Sequence, residues 1–211
     1  MFSFKSSFTL WAVVGVVATG HADILVNQDP TTGPYGGAWL NKEHTQIFAD
    51  SVQFATATTI NGFDYFSTIA DPGSTWTLRL HANSATDLPG AILQGVNLSP
   101  SSWAYYGLYG VNVWVGTFSF APIPLAANTK YWVGLSAVGF DGAMVTTQPS
   151  RNGDGALAQR QFDGEWERTD LIGDMTYRLR GTVVPEPMSL AVVGVCLASV
   201  VRRRRAAACA A

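Results

Sequence analysis

The chain has 211 residues, with 13 Lys or Arg, 15 Asp or Glu and a net charge of −2. Residues 23–183 hold 8 Lys or Arg against 14 Asp or Glu, a difference of −6, which argues against sequence-independent binding to nucleic acid or anionic lipid. Both cysteines, Cys196 and Cys209, lie beyond residue 183, so this segment has no internal disulfide or Cys-based metal site and depends on apolar burial and backbone pairing.

The N-terminus has the three parts of a secretory signal in order. Lys5 supplies a positive flank, Phe8 to Ala18 is an uncharged run of 11 residues, and Gly20-His21-Ala22 offers small residues for cleavage before Asp23. A run that short does not persist as a membrane span. A buried N-terminal helix, the competing reading, explains neither the positive flank nor the small-residue site. Residues 1–22 are therefore expected to be a signal helix removed by signal peptidase.

Residues 23–183 suit one domain with a full core. Thr31 to Asn41, with Gly33, Pro34, Gly36 and Gly37, reads as a surface loop. Asn61-Gly62, Asp71-Pro72-Gly73 and Pro89-Gly90 read as turns. Between them runs period-two alternation: Trp76, Leu78 and Leu80 against Thr75, Thr77, Arg79 and His81. Trp114, Phe118 and Phe120 share one face of another segment, and Lys130 to Val138 is a strand rich in aromatic and β-branched residues. Asp163-Gly164 predicts a two-residue hairpin turn. Met175, Tyr177, Leu179, Gly181 and Val183 alternate with Thr176, Arg178, Arg180 and Thr182, a half-buried strand. The expected fold is all-β, an antiparallel β-sandwich of jelly-roll type.

Chemistry-bearing residues are sparse in this segment. His44 and His81 have no Gly-x-Ser-x-Gly partner motif, and His81 falls on the polar face of its strand, where exposure is expected. Glu165 and Glu167, with Asp163 nearby, resemble a glycosidase pair only in residue type; such a pair needs a desolvated acid, and a hairpin face is solvated. No motif implies a cofactor. Calcium is the one metal that Asp141, Asn152 and Asp154 would suit, since they place oxygen atoms in flexible loops, but the spacing matches no EF-hand loop and Asn152-Gly153-Asp154-Gly155 reads first as an ordinary tight turn. Trp103, Tyr105, Tyr106 and Tyr109 crowd a glycine-punctuated stretch. Exposed rings there would stack on sugars; buried ones would cap the core.

The C-terminus, residues 184–211, reads as a sorting tail. Val184-Pro185-Glu186-Pro187 precedes Met188 to Val201, 14 residues without a charge, and then Arg202, Arg203, Arg204 and Arg205. The prolines keep their segment extended and open to a processing enzyme. The apolar run enters the bilayer as a short helix while the arginines resist translocation. Fourteen residues cover about 21 Å of a hydrocarbon core about 30 Å thick, which favours a transient stop during export over a permanent anchor.

Val-Pro-Glu-Pro, an apolar run and an arginine cluster, in that order, resemble the PEP-CTERM sorting signal of exported proteins in certain Gram-negative bacteria. The resemblance implies recognition and processing by an exosortase, a membrane transpeptidase acting at or near the Pro-Glu-Pro motif, and a link to exopolysaccharide and biofilm. Thr59-Ile60-Asn61-Gly62-Phe63, Leu88-Pro89-Gly90 and Thr129-Lys130-Tyr131-Trp132-Val133 are similar to segments of the β-sandwich ectodomains that accompany this tail. The sequence therefore predicts an exported, non-enzymatic surface or matrix protein. Binding of extracellular polysaccharide through the four aromatics is a second reading, and a secreted hydrolase a third.

Overall fold

Successive side chains of a strand point to opposite faces, so alternating sequences form sheets with one buried and one wet face. Trp76–Leu80 and Tyr177–Thr182 do this, buried positions alternating with wetter ones. The computed structural model describes residues 22–30, 38–40, 46–71, 73–139, 143–145, 157–169 and 174–184. The signal segment up to His21, His44, Asp141, Asn152, Asp154 and the tail from Pro185 lie outside them. Among the described residues there are thirteen strands and no helix. They are β1 (Asp23–Gln28), β2 (Ala38–Leu40), β3 (Gln46–Gln53), β4 (Thr58–Ser67), β5 (Thr75–Asn83), β6 (Pro89–Leu98), β7 (Ser102–Leu108), β8 (Asn112–Leu125), β9 (Lys130–Val138), β10 (Ala143–Val145), β11 (Ala158–Gln161), β12 (Glu167–Arg168) and β13 (Tyr177–Val183).

They form two antiparallel sheets. In one, β1, β13 and β4 are followed by β8 and then β7, while β10 and β2 join at the far end of β4, where Met144 faces Ser67. The other runs β12-β11-β3-β9-β5-β6. The sheets pack face to face as a β-sandwich: Tyr65 of β4 meets Trp76 of β5 with ring centroids 5.3 Å apart. Phe48, Phe63, Leu78, Phe118, Val133, Leu135, Tyr177 and Leu179 complete the interior, each large side chain contributing about 1.5–3 kcal/mol by leaving water. Phe63 and Tyr177 stack at 5.3 Å with their planes 6° apart.

Lys130–Val138 and the alternation at Trp76–Leu80 are strands as the sequence predicts, but several turn signals behave otherwise. Asn61-Gly62 lies inside β4, where the register with β8 shifts between Ile60 and Gly62. A bulge, rather than a turn, uses the glycine: a Cβ there would stand 3.0 Å from the Arg180 guanidinium. Pro89-Gly90 starts β6, and the chain reverses just before it, at Ser84–Leu88, with Asp87 at φ 57. Ala38–Leu40, expected in a loop, pairs with β10. The turn near Asp163 is displaced by one residue. Phe162 and Asp163 take φ of 50 and 60, and the Gly164 amide donates to the Gln161 carbonyl at 2.8 Å. That is a type I′ geometry. The connection then runs on to Trp166, because the indole folds down against Trp132, Ala49 and Ala158 on the outside of the sheet.

Candidate functional site

Strand pairing gives the sandwich two distinct ends. Asp23 faces Gly181, Val183 faces Thr58, and the Val184 amide donates to the Ala57 carbonyl at 2.8 Å. Both ends of the described domain therefore lie together. The β7–β8 hairpin tip, residues 109–111, lies at the opposite end, since Trp114 faces Ser67 at the far end of β4.

The four aromatics of the β7 region go to different places. Trp103 packs against the core, 5.9 Å from Trp76 and 6.4 Å from Phe118. Gly116 faces it across the ladder, and a Cβ there would come within 2.8 Å of the indole. Tyr105 is 52% exposed, meets Trp114 edge-on at 5.4 Å and reaches the Asn112 side chain at 3.4 Å. Tyr106 and Tyr109 stack on each other at 5.8 Å, against the separate cluster of Phe66 and Val113. Residue type alone did not separate them. A bulge between Tyr105 and Gly107 alters the alternation within β7.

Tyr106 belongs to a polar latch that sequence reasoning missed. Arg178 of β13 forms two hydrogen bonds with Asp29, Nε to Oδ1 at 2.5 Å and Nη2 to Oδ2 at 2.6 Å. Arg178 Nη2 also donates to the Tyr106 hydroxyl at 3.1 Å, and that hydroxyl donates to Asp29 Oδ2 at 3.1 Å. The guanidinium lies over the Phe66 and Tyr106 rings, 5.3 and 5.5 Å from their centroids. Burial, then the neighbouring Asp29 charge, pushes the Tyr106 hydroxyl up to about 12. Beside the latch, Arg180 pairs with Asp64 at 3.1 Å, yet burial dominates and raises the Asp64 carboxyl above its ordinary value. An acidic residue just after β1 and an arginine on the wet face of β13 were the only sequence signals.

The outer face of the other sheet holds His81. The sequence places it on an exposed polar face; instead it is 4% exposed, because Trp166 covers it edge-on at 5.5 Å. Its Nδ1 donates to the Gly90 carbonyl at 3.0 Å. Burial lowers its pKa below the usual histidine value, and the Arg79 and Arg160 charges push the same way. Arg160 lies over the Trp166 ring at 5.6 Å. Asp87 ties the margin of this face, accepting from Lys130 at 3.0 Å and pairing with Arg168. Glu165 and Glu167 are exposed, and Glu167 accepts from Gln159 at 3.1 Å.

Among the described residues no three His, Cys, Asp or Glu side chains converge as a metal site, and no helix is long and apolar enough to cross a membrane. His44, the loop oxygens of Asp141, Asn152 and Asp154, the motif Pro185–Pro187 and Arg202–Arg205 fall outside the described residues. No known protein family and no curated protein matches the chain.

Proposed function

We propose that this chain is an exported, non-enzymatic protein of the cell surface or extracellular matrix, sorted and processed through residues 184–211 by an exosortase of the PEP-CTERM type. Val184 carries the reading. Its amide is bound to Ala57, the last backbone donor of the described sandwich, and Pro185 follows at once. The processing motif thus begins at the last paired residue described. Asp23, the residue after the signal cleavage site, is likewise the first paired residue of β1. A signal helix before the domain and a short hydrophobic helix after it complete the organisation. With β7 and the short β2, β10, β11 and β12 set aside, the order supports a jelly roll, since β1-β13-β4-β8 opposite β3-β9-β5-β6 is that of two interleaved Greek keys.

Mass spectrometry of the mature termini, read with cell fractionation, tests this. The product is expected to begin at Asp23 and to lose its tail at or near Pro185–Pro187. Joint replacement Pro185→Ala, Glu186→Ala and Pro187→Ala should leave an unprocessed form in the inner membrane. A cytoplasmic chain with residues 1–22 intact overturns the proposal.

Recognition of extracellular polysaccharide is the second reading, favoured by Tyr105, whose exposed ring rests on Trp114 beside the Asn112 amide. A ring with an adjacent amide offers both stacking and hydrogen bonding to a sugar. Affinity gels containing the native matrix polysaccharide should retard the protein, and Tyr105→Ala should abolish the retardation. Equal migration of the two proteins would remove this reading.

A further inference from the structure

Residues 88–129 contain no Asp, Glu, Lys, Arg or His, and the next longest such run between 23 and 183 is Ser51–Phe63. The topology gathers this uncharged run on one side of the sandwich. β6 is the outermost strand of its sheet and β7 the outermost of the other. They lie on the same side: Trp103 of β7 meets Trp76 of β5, the neighbour of β6, and β6 itself contacts β8. Among the described residues, each of these strands has a single partner, β5 for β6 and β8 for β7.

A free strand edge presents a row of backbone donors and acceptors that templates another strand, and proteins usually guard such edges with lysine, proline or bulges. Here the guard covers half of β6. Pro89 and two register shifts interrupt its first half, but Gln94–Leu98 pairs regularly with Trp76–Leu80 and carries no charge. Ala91 to Gly95 are all exposed, with Ile92 58% and Leu93 54% accessible.

We infer that β6 is the docking edge for a second copy of this chain, the two β6 strands pairing antiparallel about a two-fold axis. Charge selects the occupant. Copies of a domain with 14 acidic and 8 basic side chains repel one another, and the uncharged side is where they approach without that penalty. Geometry agrees, because an antiparallel edge pair is self-complementary under a two-fold rotation. Two six-stranded sheets then become one continuous sheet. The inference is independent of how the tail is processed.

Sedimentation velocity of the full chain in mild detergent tests it, comparing the unaltered protein with Leu93→Lys and Gly95→Lys. No atom lies within 4 Å of a Cβ added at Gly95, so the second substitution meets no backbone or side-chain clash at its Cβ. The unaltered chain is expected to dimerise with increasing concentration. Each lysine should weaken dimerisation about fivefold, because the two-fold axis brings like charges together across the new strand pair, at unchanged melting temperature. A monomer at every concentration, or a dimer indifferent to both lysines, overturns the inference. Association that needs an added neutral glucan would give the edge to polysaccharide and overturn it as well.

Discussion

Asp29 and Arg178 are 149 residues apart in the chain, yet they form two hydrogen bonds of 2.5 and 2.6 Å that fasten the end of β1 to β13. The pair joins the first strand of the sandwich to the last. With side chains 21% and 28% exposed, it lies between a surface ion pair and a buried one.

Replacing Arg178 with alanine removes both guanidinium bonds to Asp29, which still accepts from the Tyr106 hydroxyl, and removes that hydroxyl's own donor. The cost is expected to be about 2 kcal/mol, between the surface and buried limits. Arg178→Lys should recover less than half of it, because an ammonium cannot reproduce the two-pronged contact. Denaturant midpoints of the three proteins measure both numbers.

His81 should make the protein sensitive to mild acid. Its folded pKa lies below the ordinary value of 6.5, so between the two values the unfolded chain binds the extra proton. Stability is complete above pH 6.5 and falls as the pH drops through it toward the folded value. Melting temperature against pH should show this slope in the native protein and lose it in His81→Gln. Asp64, whose folded pKa is raised, acts with the opposite sign at more acidic pH: stability rises as it takes up its proton.

Trp166 is the cover over His81. Trp166→Ala should cost about 2 kcal/mol, less than a fully buried tryptophan because this one is half-buried. It should also return the His81 titration toward 6.5, followed by the imidazole proton shifts in NMR. A loss of stability with an unmoved titration would contradict the covering role.

Gly116 is a steric complement to Trp103. Gly116→Ala places a Cβ 2.8 Å from the indole, which is held between Trp76 and Phe118, and should destabilise by about 1–3 kcal/mol. Trp103→Phe in the same chain should recover much of that loss by shortening the ring. Thermal unfolding of the single and double variants gives the coupling directly.

The strands were legible wherever burial alternates without interruption. Trp76, Leu78 and Leu80 declare a face by themselves, and so do Tyr177 and Leu179, since every second side chain must leave water. Turn signals were less reliable. Asn61-Gly62 and Pro89-Gly90 have the residues that turns favour, but bulges and strand starts favour the same residues, and only the pairing partner distinguishes them. The amphipathic strand by itself puts His81 on a polar face, where exposure is expected. The indole that buries it arrives from a hairpin 85 positions further along the chain. The aromatics at 103–109 were legible as a group, while their separate destinations depend on a bulge in β7.

Local sequence alone determined that residues 23–183 form amphipathic strands with no disulfide among them, because alternation and cysteine position are read directly along the chain. Tertiary structure decided which faces are covered, which strands have a single partner among the described residues and where the ends of the described domain meet. Those outcomes depend on side chains brought together from distant strands, as Asp29 and Arg178 or His81 and Trp166 are, and no local pattern encodes such a meeting.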